Sequence, residues 1–267
     1  MAITDDAHSK SLKEFYENID RECSYTPETD ATQHPFYGLL VAFVDRWSLR
    51  QKKCLEIGSA KGLFQDVVAD YTGVDLASSL SAYYHKPFVA VVGAKLPFAD
   101  ASFDAVFSYA TYEHIPDINT ALDELVRVMK PGGVCLLAPA WHTRAWFADG
   151  YAVRPYSSLS SYQKLIKASI PIRDSSLIRY PFVILRRLAH LGVYLFGPGR
   201  PTALRYRKLN ANYKEYWQSD SDACNSLDPF DVILWFRSRG FLCHGYTNLA
   251  KCLLVRTYAL ELQKPLL

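Results

Sequence analysis

Several protein classes are excluded by what this chain has little of. No uncharged apolar run reaches the roughly eighteen residues of a membrane-spanning helix. The nearest approach, Leu177 to Gly197, is broken by Arg179, Arg186 and Arg187, so it reads as soluble or interfacial. The six cysteines form no C-x-x-C pair, and Cys54, Cys135 and Cys252 fall inside apolar, strand-like runs where a thiol behaves as a small hydrophobe. A disulfide framework is therefore not expected, and a reducing cytoplasmic location is. The opening MAITDDAHSK lacks the basic-then-apolar layout of a secretory leader. No His, Asp or Cys cluster has convincing metal-ligand spacing, so no metal is expected. Internal repeats and low-complexity tracts are missing too.

What is present is a 267-residue chain, about half apolar, long enough to bury a large core as one domain with an elaboration. Its charge is unevenly spread. Residues 141–227 hold thirteen Lys and Arg against five Asp and Glu, a surplus of +8; the remainder of a chain whose total is +3 therefore carries −5. Such asymmetry hints at the sign of a partner.

Short apolar runs alternate with helix-like stretches, the pattern of a parallel sheet in an α/β layer architecture. Strands are predicted at 53–57, 71–76, 88–92, 105–109 and 134–138. The segment NTALDELVRVMKPGG sets Leu122, Leu125, Val126 and Met129 on one helical face and ends at Pro131-Gly132-Gly133. The alternation then stops for nearly ninety residues rich in Tyr, Arg, Ser and Pro. It resumes at LDPFDVILWFRSRGF, where Asp228 can cap a helix that Gly240 stops. Two last runs, 241–246 and 252–259, are separated by a connection too short for a helical crossover and should pair antiparallel. Four segments result: an N-terminal helical cap (1–50), a Rossmann-like core (51–140), a basic, aromatic-rich lid (141–227), and a helix with a β-hairpin completing the core sheet (228–267).

The stretch KCLEIGSAKGLF, 53–64, predicts a strand, a glycine turn and a helix at the carboxyl edge of the sheet, where ligands of open α/β sheets bind. The glycines suggest close approach of a ligand to the main chain. Asp75, at the end of the second strand, is placed to accept both hydroxyls of a ribose. The dinucleotide fingerprint G-x-G-x-x-G is not met, since its positions hold Gly58, Ala60 and Leu63.

The ordered set LEIGSAKG, GVDLA, LPFADASFDAVFS, EHIPD and RVMKPGG, spread over 55–133, resembles the class I S-adenosylmethionine-dependent methyltransferases. The resemblance covers about a third of the chain. It implies a doubly wound, mostly parallel seven-stranded sheet with an antiparallel C-terminal hairpin, here with a helical lid insertion, and S-adenosyl-L-methionine as cofactor. By the same resemblance, Glu56, Gly58, Ser59 and Gly62 would cradle the methionine part, Asp75 would hold the ribose and Leu76 would pack on the adenine. Ser108 and Tyr109 would lie beneath the sulfonium. Two positions depart from the family's pattern. Ala60 replaces the usual middle glycine, and Val92 stands where an acid often meets the adenine amino group, leaving that contact to main-chain groups of Gly93 and Ala94.

His114, after the fourth strand, and His142, after the fifth, are candidate general bases; each could equally be fixing a loop. Tyr16, Trp141, Arg144 and Trp146 are candidates for the acceptor pocket. No N-P-P-Y or D-P-P-Y follows the fourth strand, which argues against transfer to adenine or amide nitrogen. The insertion's arginines sit within apolar runs rather than a dense patch, so a lid is expected there rather than a stable nucleic-acid surface. The expected activity is methyl transfer, to oxygen, of a small and anionic acceptor such as a sugar, a lipid-linked glycan or a secondary metabolite. Contact of the lid with a membrane, RNA methylation and a catalytically silent cofactor-binding scaffold are the alternatives.

Overall fold

Strand residues alternate between two buried faces, and that alternation builds the molecule. In the computed structural model, which describes residues 13–18, 30–91, 94–197 and 201–266, β1 (Lys53–Ile57) sends Cys54 to one face and Leu55 and Ile57 to the other. β4 (Phe103–Tyr109) and β5 (Met129–Ala138) alternate likewise: Ala105, Phe107, Val134 and Leu136 join Cys54, whereas Val106, Cys135 and Leu137 join Leu55. A sheet buried on both faces in this way must be covered on both sides. The cover on one side is α1 (Tyr37–Arg46), through Leu40, Phe43 and Val44. On the other are α2 (Ile118–Val128), through Leu122 and Leu125, and α5 (Pro229–Arg237), through Ile233 and Phe236.

The sheet has seven strands in the order β3-β2-β1-β4-β5-β9-β8, with β2 (Asp70–Asp75), β3 (Phe88–Ala90), β8 (Leu242–Cys243) and β9 (Leu260–Gln263). The first five strands are parallel; β9 runs antiparallel to both β5 and β8. This is the doubly wound, mostly parallel sheet with an antiparallel C-terminal hairpin that the sequence pattern implies. The strand order reverses direction between β1 and β4, and a crevice opens there at the carboxyl ends.

Three local expectations are corrected. After β1 the chain makes a series of turns over 60–66 rather than a regular helix, because Ala60 and Gly62 take left-handed φ values of 43° and 69°. Only three-residue steps such as Gln65 N to Gly62 O (3.1 Å) and Val67 N to Phe64 O (3.0 Å) follow, so no long helix dipole aims at the crevice. Helix α2 ends earlier than expected, at Val128. Met129 is already extended, and Lys130 to Gly133 belong to β5. The hairpin's second strand is Leu260–Gln263 rather than 252–259, since Leu249–Leu253 forms a short helix, α6, that buries Cys252.

The insertion carries two helices, α3 (Ser161–Asp174) and α4 (Ser176–Phe196), and a small antiparallel pair, β6 (Arg207–Lys208) with β7 (Asn225–Ser226). Among the described residues no helix is long and apolar enough to cross a membrane.

Candidate cofactor and acceptor site

The carboxyl ends of β1, β2, β4 and β5 open onto one cavity of about 730 Å³, within the range of small-ligand sites. Its floor is the turn after β1. Gly58 (φ 73°), Ala60 and Gly62 alternate left-handed conformations with ordinary ones, and the amides of Gly58 and Ser59 donate to the Val74 carbonyl at 2.9 and 3.0 Å. Tyr84 pins the turn from behind, its hydroxyl 2.7 Å from Ser59 Oγ. A Cβ at Gly58 would stand 1.9 Å from Thr111 Oγ1, and one at Gly62 would stand 2.6 Å from the Tyr84 ring. Side chains of this chain itself therefore press against both glycines. Gly62 lies beneath Tyr84, outside the cavity lining, while Gly58, Ser59 and Ala60 face the cavity.

Asp75 is held at the edge of this floor. Its Oδ2 accepts from Ala60 N at 2.8 Å and its Oδ1 from Leu76 N at 2.7 Å, and the side chain lines the cavity. Glu56 lines the same end and is 3 % exposed. Burial pushes its carboxyl up to about 8, partly offset by the hydrogen bond donated by Tyr71. A nearly buried neutral acid beside an anchored carboxylate suits a ligand that brings a cationic amine and a diol. On that test the residues present fit S-adenosyl-L-methionine.

Leu76 and Ala94 line the cavity, whereas Gly93 and Val92 lie outside the described residues. Tyr109 forms a wall, backed by Phe36 (ring centroids 5.2 Å) and His34 (4.8 Å). Ser108 is 1 % exposed, does not line the cavity, and donates to the Ile57 carbonyl at 2.8 Å, joining β4 to β1.

The far end of the cavity is a buried polar cluster built from three distant segments. A single 3-10 turn after β4 (Tyr112–His114) supplies Glu113 and His114; the insertion supplies Asp220 and Asp222; the N-terminal segment supplies Tyr16. His114 Nδ1 is 3.0 Å from Asp222 Oδ2, which also accepts from the Tyr16 hydroxyl at 2.5 Å. His114 Nε2 stands 3.7 Å from Asp220 and 3.8 Å from Glu113. Burial disfavours a charge on His114, but Asp222, Glu113 and Asp220 outweigh it and hold the imidazole at about 9. Burial raises Glu113 to about 7 and raises Asp220 as well. Glu113, His114 and Asp220 also place one ligand atom each within 4.8 Å of one another, a spacing compatible with a cation that no sequence spacing revealed.

Asp220 and Asp222 were not singled out from the sequence. Two acids two residues apart in QSDSDACN are a weak signal, and only folding carries them to His114.

Besides Gly62 and Ser108, four residues expected in the catalytic or acceptor site are not brought to the cavity. His142 (φ 61°) donates its amide to the Leu227 carbonyl at 2.8 Å, and its charged neighbours are Asp228, Arg179, Arg186 and Arg187; burial lowers its pKa to about 4. Trp141 Nε1 donates to the Tyr258 carbonyl at 3.0 Å. Arg144 donates to Asp174 at 2.8 Å and to the His142 carbonyl at 2.9 Å. The Trp146 ring has the guanidinium groups of Arg144 and Arg173 over it at 5.7 and 5.4 Å. Of these contacts, the Trp141 bond to Tyr258 ties the insertion to the core, and the others lie within the insertion. None of the described Lys or Arg of 141–227 lines the cavity.

A family model described as "Methyltransferase domain" matches residues 55–137. Over 93 residues the chain is 33 % identical to an uncharacterized methyltransferase of Mycobacterium sp. (strain JLS), covering 32 % of this chain and 37 % of that one. Over 80 residues it is 38 % identical to the O-methyltransferase resE of Aspergillus sclerotiorum, covering 27 % and 30 %. The matched stretch thus spans about a third of the length of these curated relatives. Among solved structures, the YcgJ protein of Bacillus subtilis aligns with 49 % of this chain and 65 % of its own at 24 % identity and a TM-score of 0.37. The match to a methyltransferase domain runs from Leu55 to Leu137 and takes in the turn after β1 and Asp75.

Proposed function

We propose that this protein is an enzyme that transfers the methyl group of S-adenosyl-L-methionine to an oxygen atom of a small acceptor in the cytoplasm. The observation that carries this reading is the continuity of one cavity from the Glu56–Asp75 floor to the His114–Asp220 end. The bound cofactor supplies a methyl carbon already activated by its sulfonium. The chain has to orient the acceptor, exclude water and receive a proton.

Asp75 would accept the ribose hydroxyls, and Glu56 would ionise opposite the amine. Tyr109 and Tyr16 wall the path to the acceptor end. There an acceptor hydroxyl would donate to Asp220, whose burial raises its affinity for a proton, and as the new carbon–oxygen bond forms the hydroxyl proton would pass to that carboxylate. His114, an imidazolium among three carboxylates, would act as a positioning residue that keeps the cluster's charge balanced.

The positive surplus of the insertion suggests an anionic acceptor. The described cations of that segment stay outside the cavity, and the acceptor end is dominated by carboxylates. We therefore read the acceptor as a neutral compound presenting a hydroxyl. Residues 51–140 with 228–267 form the cofactor half in this reading, and the N-terminal segment with 141–227 forms the acceptor half.

Titration calorimetry should show cofactor binding that Asp75→Ala abolishes. Incubation of a metabolite extract with labelled cofactor should then give a small molecule heavier by one methyl group. Label recovered in RNA, or cofactor bound without label entering any compound, would overturn the proposal.

A further inference from the structure

The helical hairpin α3–α4 is turned inside out. On α4 the fully buried side chain is Arg187, 1 % exposed, whereas Leu177, Phe182, Leu185 and Phe196 are 86, 69, 63 and 87 % exposed. α3 buries none of its side chains, and more than half of the exposed large apolar side chains of the described residues lie on these two helices. Ile178, Phe182, Leu185 and Phe196 recur at helical spacing on one face, opposite Arg187. A contiguous apolar face of this kind marks an interaction surface.

Charge identifies the occupant. Residues 161–196 hold six Lys and Arg and a single acid, Asp174, which is bound to Arg144. Lys164 and Arg173 are exposed on the hairpin, while the half-exposed Arg186 is engaged by Asp228. A second copy laid face to face would bring like-charged surfaces together. An anionic lipid surface would take the leucines and phenylalanines among its acyl chains while the basic side chains reach the headgroups. The hairpin is rooted beside the cavity mouth: Arg187 donates to the carbonyls of Leu253 and Val255, and Arg256 lies over Tyr180, two residues before the cavity-lining Tyr258. We propose that α3–α4 docks this protein on an anionic bilayer surface, lying in its interface without crossing it. This inference stands on the hairpin alone and does not depend on the identity of the acceptor or on methyl transfer.

The test is flotation of the full chain with vesicles of phosphatidylcholine and with vesicles of phosphatidylcholine mixed with phosphatidylglycerol. The wild type should float with the mixed vesicles and be released by salt. The triple variant Phe182→Ser, Leu185→Ser, Phe196→Ser should partition about tenfold or more weaker, and Lys164→Glu with Arg173→Glu should lose the preference for phosphatidylglycerol. Cofactor binding by calorimetry should be unchanged in both variants, showing that they fold. No flotation of the wild type, or flotation that the triple variant retains, would overturn the proposal. So would a dimer, seen by sedimentation velocity, that the triple variant dissociates while vesicles do not compete for it.

Discussion

Arg187 and Asp228 form the pair on which the seating of the lid depends, and their geometry sets how much. Arg187 Nε donates to Asp228 Oδ2 at 3.1 Å and Nη2 to Oδ1 at 2.7 Å, with both residues almost fully buried. Nη1 adds the Leu253 carbonyl at 2.7 Å and the Val255 carbonyl at 3.1 Å. Asp228 Oδ1 also caps α5 through Phe230 N at 2.9 Å. Removing Asp228 leaves Arg187 as an uncompensated buried charge, which costs about 3–5 kcal/mol, whereas removing Arg187 leaves Asp228 with the half-exposed Arg186 and should cost less. For a chain of 267 residues the loss of Asp228 is then a fall in Tm of about 5–9 °C. Asp228→Ala should be the worse single change, because it also removes a helix cap of about 1 kcal/mol. The double variant Arg187→Met with Asp228→Asn, which keeps the cap acceptor and removes both charges, should cost less than the singles Arg187→Met and Asp228→Asn together by about 2 kcal/mol or more. Urea unfolding of the four proteins measures this directly. Singles that each cost under about 1 kcal/mol, or costs that simply add, would show that the guanidinium is solvated and the hairpin not anchored through it. The pair has a pH signature as well. Burial works to raise Asp228, but Arg187, His142 and Arg186 prevail and hold its carboxyl below the usual range. Its contribution is therefore complete above the unfolded pKa and is lost as pH falls through the lower folded value. Asp228→Asn should flatten that acid limb.

Other expectations concern the cavity. With Glu56 at about 8, it is mostly protonated at pH 7; binding of an amine beside it should release close to one proton and tighten as pH approaches 8. Calorimetry in buffers of different ionisation enthalpy reads this, and Glu56→Gln should remove it. His114 titrates at about 9 in the fold, so the stability it contributes is whole below its unfolded pKa and lost as pH rises through 9; His114→Gln should remove that alkaline loss. Ala60 is held at φ 43°, where an L side chain is strained, so Ala60→Gly should raise stability by up to about 1 kcal/mol in thermal melts. Gly58→Ala should cost about 2 kcal/mol or more through its φ of 73° and the clash with Thr111, and Thr111→Gly should recover part of it. Dialysis against a chelator should leave cofactor binding and turnover intact, because His114 itself already supplies the positive charge between Asp220 and Asp222.

Much of the core could be read from order along the chain because its signals are local. β1 occupies the expected residues 53–57, since an apolar run closed by a glycine needs no distant partner to identify it. Asp228 caps α5 through an amide two residues away, and Asp75 at the end of β2 accepts from the amide of the next residue, Leu76, both consequences of short-range geometry. The helix expected after Gly62 is interrupted by left-handed values at Ala60, whose amide is held by Asp75, and at Gly62, where glycine permits them. The last strand moved to Leu260–Gln263 because pairing with both β5 and β8 decided its register.

From residue order alone came the cofactor half: an alternating apolar pattern on both faces of a parallel sheet, a glycine turn, and an acid at the next strand's end. Tertiary structure decided everything that depends on residues far apart in the chain meeting. It carried Asp220 and Asp222 to His114 and Tyr16, took His142, Trp141, Arg144 and Trp146 away from the cavity, and buried Arg187 against Asp228 while leaving Phe182 and Leu185 outside. The reason is physical: strand and turn preferences act over a few residues, whereas the pairing of buried charges and the facing of an amphipathic helix are set by which distant surfaces the fold brings together.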